Sequence, residues 1–69
     1  MSPIEKLVLA HRYLFYVLKE PQINDKRYDR MVSEAKRKSN PESPVNNPGT
    51  AVKEDYSKEI IEIAMELKS

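Results

Sequence analysis

Apolar residues recur along this chain at helical spacing in three separate stretches, with polar and turn-forming residues between them. Ser2-Pro3-Ile4-Glu5 combines an N-cap serine, a proline at the first helical position and a glutamate placed to close a capping box, so a helix is expected from Pro3 to about Lys19, where Pro21 stops it. At 100° per residue its apolar positions fall into two groups. Ile4, Leu7, Val8, His11, Leu14, Phe15 and Leu18 form a broad stripe, and Leu9, Tyr13 and Tyr16 form a narrower one on another side. The first helix therefore has two faces to cover.

The connection from Lys19 to Asn24 is short, which favours an antiparallel helical hairpin. Asn24 or Asp25 can cap a second helix over residues 24–38, with Tyr28, Met31, Val32 and Ala35 as its buried stripe at i, i+3, i+4 and i+7. Residues 39–53 hold three of the five prolines and the single glycine, so they read as a loop that is ordered only if it packs on the hairpin. Helical spacing returns over residues 55–68, through Tyr56, Ile60, Ile63, Ala64 and Leu67, with Ile61 and Met65 beside them. Acidic residues near its start and Lys68 near its end suit the helix dipole. The expected architecture is one all-α domain over residues 1–69: a helical hairpin, a proline-rich loop and a third helix packed on the hairpin.

Composition narrows the chemistry. A chain of 69 residues buries only about 60% of its unfolded surface, so its stability is marginal and an enzyme with two substrates would be crowded. There is no cysteine, which excludes disulfides and thiolate metal sites. With His11 the one histidine, no metal site is expected. No apolar run approaches the length of a membrane span and no leader is recognisable, so a soluble cytoplasmic protein without membrane contact is expected. The net charge of +1 conceals an asymmetry: residues 1–50 carry nine Lys/Arg against six Asp/Glu, and residues 51–69 carry three against five.

The segment His11 to Arg30, HRYLFYVLKEPQINDKRYDR, holds an aromatic-rich helix end, a proline turn and an Asp-x-x-Tyr-Asp helix start in close succession. It resembles the first domain of NAD-dependent DNA ligases. That family carries an aromatic pair, a Pro-x-Ile/Val turn leading into Asp-x-x-Tyr-Asp, and then a Pro-Glu and Ser-Pro segment. The matching residues here are Phe15 and Tyr16, Pro21, Ile23, Asp25, Tyr28 and Asp29, with Pro41, Glu42 and Pro48 more loosely, within residues 5–52. The resemblance implies that Phe15, Tyr16, Asp25, Tyr28 and Asp29 hold the nicotinamide mononucleotide half of NAD as a weak, non-covalent ligand, and that the chain serves DNA replication or repair. A compact, separately encoded copy of such a domain would suit a phage or mobile-element genome.

The sequence departs from the family at two points. Phe15 stands where the family prefers tyrosine, which keeps a stacking ring and loses its hydroxyl. Val52 is followed by Lys53 where the family continues through glycine into its catalytic domain. The Lys-x-Asp-Gly nucleophile setting is missing, since Gly49 follows Pro48, so no catalytic residue is expected and the chain is not expected to be an enzyme.

Each candidate has an alternative role. Asp25 can serve the helix start and Asp29 can be a solvated charge, Tyr28 can pack in the core, and Tyr16 can contact the third helix. His11 lies in an apolar stripe, where a buried, hydrogen-bonded role is expected. Lys26, Arg30 and Arg37 line the outer side of the second helix, but no polar base-reading set accompanies them, so nucleic-acid recognition by this chain alone is not expected. Two functions are therefore in view: a nicotinamide-nucleotide recognition module, and a small interaction or regulatory protein whose partner is a ligase or another replication protein.

Overall fold

The structure, a computed structural model, describes residues 3–46 and 52–69. Ser2, and with it the proposed cap of the first helix, lies outside those residues, as do Pro48 and Gly49. Among the described residues there is no strand, and the architecture is the expected one of a hairpin with a third helix packed on it. The first helix, α1, spans Pro3–Arg12 and continues without a break into a wider π-helical turn over Tyr13–Leu18. The expectation of a single α-helix to Lys19 is corrected here. Lys19 ends the helix with φ of 56°, and its own N–H and that of Glu20 both donate to the Leu14 carbonyl. A left-handed conformation costs a residue with a Cβ roughly 1–2 kcal/mol, and Pro21 two residues on prevents any continuation.

The second helix, α2, spans Asp25–Lys38 with Asn24 as its cap, whose side-chain oxygen accepts from the Arg27 N–H at 2.8 Å. The third, α3, spans Lys58–Lys68, and Ser57 caps it by accepting from the Ile60 N–H. This corrects the expected start at residue 55: Lys53–Asp55 form a separate 3₁₀ turn ahead of the cap. Pro44–Asn46 form another, within the expected loop.

Helix α1 is the centre of the molecule, packing against α2 on one side and α3 on another. Two ion pairs orient α3. Lys6 meets Glu59 at 2.7 Å near the two helix starts, and Glu20 meets Lys68 at 2.6 Å near the two ends, so α3 runs in the same direction as α1. Exposed pairs of this kind contribute at most about 1 kcal/mol each. The burial is elsewhere: Val8, Ala10, Leu14, Ala35, Val45 and Ala64 are wholly buried, and Tyr13 and Ile60 nearly so. The ring of Tyr13 meets that of Tyr56 edge-on, with centroids 5.3 Å apart. Val45 carries the Pro44–Asn46 turn onto both α1 and α2, which is how this part of the loop acquires order. The Cα radius of gyration, 10.9 Å, is about what a folded chain of this length should have.

Candidate functional site

The two faces of α1 and of the π-turn that continues it receive different partners. The narrower stripe meets the residues before α3 through Tyr13, and the π-turn meets the first turns of α2 through Phe15. The Phe15 and Tyr28 rings lie with centroids 4.9 Å apart at a tilt of 50°, inside the range of favourable aromatic contact. Tyr28 is half-buried, packed against Phe15 and in part accessible. Tyr16 is 43% exposed, and it does not bury itself against α3. Asp25 occupies the first position of α2 and Asp29 follows one turn later; both are exposed, and no ion pair among the described residues engages them.

Arg12 holds this arrangement from below. It is almost wholly buried, donating from Nε to the Tyr28 hydroxyl at 3.0 Å and from a terminal nitrogen to the Val45 carbonyl at 2.7 Å. Its burial and these bonds make Arg12 a strut joining α1, α2 and the loop, and not a cation open to a phosphate. Glu5 is its counterpart one face-repeat earlier, buried and accepting from the Ser43 hydroxyl. Glu5 thus grips the loop, a long-range role beyond its expected place in a capping box. Its position and that of Arg12 could have been suspected from spacing, because Glu5 lies three and four residues before Val8 and Leu9, and Arg12 four and three after them, which sets both charges on a buried face.

Burial pushes the Tyr28 hydroxyl above its ordinary pKa of 10.0. The hydrogen bond and charge of Arg12 oppose that shift, while Tyr16 and Asp29 reinforce it, which marks both as electrostatic neighbours of the ring. Because Arg12 can only donate, the Tyr28 oxygen accepts from it and the hydroxyl proton remains available to another acceptor. His11 is buried in the core, with its Nδ1 lacking a hydrogen-bond partner, and desolvation lowers its pKa. The expectation that it is hydrogen-bonded fails at that nitrogen. Among the described residues no cluster of His, Asp and Glu could hold a metal ion, and no helix is long and apolar enough to cross a membrane.

The structure thus brings Phe15, Tyr16, Tyr28 and Asp29 into one neighbourhood at the junction of the π-turn and α2, with Asp25 on the same helix start. A separate depression of about 410 Å³ lies on the outer side of α2, lined by Arg30, Ser33, Glu34, Arg37 and Lys38, away from the aromatic pair. Compared with protein-family models, with curated proteins and with solved structures, the chain finds no match.

Proposed function

We propose that this chain is a non-catalytic recognition module for a nicotinamide nucleotide, either nicotinamide mononucleotide or NAD, acting in the cytoplasm as an accessory to DNA replication or repair. The observation that carries the reading is the Phe15–Tyr28 ring contact with Tyr16 exposed beside it and two unpaired carboxylates on the adjoining helix turns. A cationic pyridinium over an aromatic face gains about 0.5–2 kcal/mol. Tyr16 and the open part of Tyr28 supply that face, while Asp25 and Asp29 accept from ribose hydroxyls and balance the ring charge. With Arg12 committed to the protein interior, the exposed side chain of Lys19 at the turn is the cation left for a phosphate. So few contacts support a dissociation constant no tighter than about millimolar, near −4 kcal/mol.

A second reading, a small interaction protein binding a ligase or another replication protein, has one observation on its side. Helix α3 and the loop residues before it cover the Tyr13 side of α1, so the hairpin is closed without a neighbouring domain. An NMR titration of the labelled protein with nicotinamide mononucleotide and with NAD separates the two. The first reading expects chemical-shift changes clustered on residues 12–29 and their loss in Asp29→Ala. If saturating ligand moves no resonance there, the interaction reading replaces it.

A further inference from the structure

We propose that the outer face of α2 is a docking surface for the phosphodiester backbone of nucleic acid, read without regard to sequence. Lys26, Arg30, Ser33 and Arg37 are all exposed and, at 100° per residue, fall on the side of the helix opposite the fully buried Ala35. No acidic residue falls within that stripe: Asp29 lies to one side, and Glu34 on the other is engaged by Lys38 at 3.1 Å. Lys26, Arg30 and Arg37 form no ion pair among the described residues. They stand along a ridge of about 16 Å, a length that on duplex DNA spans about five phosphates of one strand. Arg30, Ser33 and Arg37 also line the depression of about 410 Å³, together with the paired Glu34 and Lys38, which gives a phosphate room beside two guanidinium groups and a hydroxyl.

Charge over the whole molecule is separated in the same sense. Helix α2, residues 25–38, carries six Lys/Arg against three Asp/Glu, and α3, residues 58–68, carries two against three, so the two helices flanking α1 differ by four in net charge, +3 against −1. Three features select the occupant. The apolar side chains of α2, Met31, Val32 and Ala35, turn inward to the core, so the ridge offers no anchor for a lipid surface or for the buried hot spot of a protein partner. A regular, stiff polyanion needs only the charges and hydroxyl that are present. The lack of base-reading side chains confines recognition to the backbone and leaves the sequence of the nucleic acid unread. This inference is independent of the nicotinamide reading, because the ridge excludes Tyr16, Tyr28, Asp25 and Asp29.

The test is fluorescence anisotropy of the full chain with a labelled duplex of about 20 base pairs and arbitrary sequence, repeated between about 50 and 200 mM salt. Three phosphate contacts predict a log–log salt slope of about −2.7, hence about 40-fold weaker binding across that range, with no difference for a second duplex of scrambled sequence. The exposed double variant Arg30→Ala/Arg37→Ala, its helicity checked by circular dichroism, should weaken binding at the lower salt by at least about tenfold and flatten the slope toward about −0.9. Lys53→Ala/Lys58→Ala removes the same charge elsewhere and should leave affinity within about twofold. Equal loss in both double variants would overturn the proposal as a bulk-charge effect. So would polyglutamate competing as well as DNA at equal charge, anionic vesicles binding more tightly than the duplex, or self-association through the acidic and basic sides accounting for the anisotropy change. If the duplex does not bind at all at the lower salt, the ridge is a solvated surface.

Discussion

Replacing Ile60 by alanine tests whether α3 is part of the core. Ile60 is 2% exposed and belongs to the same apolar cluster as Val8, Leu14 and Ala64. The substitution deletes three carbon groups, about 2.4 kcal/mol of lost transfer at roughly 0.8 kcal/mol each, and the unfilled cavity raises the cost into the range of about 2–5 kcal/mol. A chain of this size has about 3–10 kcal/mol in all, so the variant should lose a large fraction of its stability. At about 4–8 °C per kcal/mol, a loss near 3 kcal/mol lowers the thermal midpoint by about 12–24 °C. Thermal and urea melts followed by circular dichroism give the number, with Met65→Ala as the control, since Met65 is 48% exposed on the same helix and should change stability by less than about 0.5 kcal/mol. If the Ile60 variant melts where the Met65 variant does, α3 does not complete the core and the account of how so short a chain folds is wrong.

Arg12→Met should destabilise by about 1–3 kcal/mol, because the buried Val45 carbonyl loses its donor, and urea melts should show it; a neutral result would mean that relief from burying a charge offsets the lost bonds. His11 keeps its neutral form to a lower pH when folded than its ordinary value of 6.5, so the unfolded chain binds the extra proton first. Stability should therefore fall as pH drops below 6.5 and be indifferent to this group above it, and His11→Leu should flatten that dependence in urea midpoints taken from roughly pH 5 to 7.5. Identical slopes for the two proteins would exclude His11 as the cause. Lys19→Gly should raise stability by about 0.5 kcal/mol, the left-handed strain relieved less the greater freedom of glycine in the unfolded chain, seen as a thermal midpoint a few degrees higher; a lower midpoint would show that Lys19 is not strained.

Helix α2 was legible to within a residue at its start because its signals are local: Asn24, one of two possible caps, caps through its own side chain, and the stripe ending at Ala35 faces the core. The start of α3 was harder because Glu54, Asp55 and Ser57 all suit a helix beginning, and the hydroxyl of Ser57 takes the cap. Nothing in YLFYVL distinguishes a π-turn from an α-helix, and a lysine in place of glycine gives no warning of a left-handed stop at Lys19. Within the candidate site the rings and carboxylates were visible as residue types at helical spacing. Arg12 was legible only as a charge on a buried face; its partners were not, being a hydroxyl 16 positions away and a carbonyl 33 positions away. Long-range bonds of this kind leave no local periodicity to read.

The central place of α1 has a consequence for the order of folding events. Its contact with α2 closes over a short turn, whereas Lys6 and Glu59 are 53 positions apart, and the entropy of closing so long a loop must be met before any contact of α3 returns it. The hairpin should therefore form first and α3 dock last, in the slowest step. Until then the Tyr13 side of α1 stays wet, because the Tyr56 that covers it belongs to the late-arriving segment. This transient, half-covered hairpin is the species most exposed to aggregation, and concentration during refolding should matter more to this protein than its equilibrium stability alone would suggest.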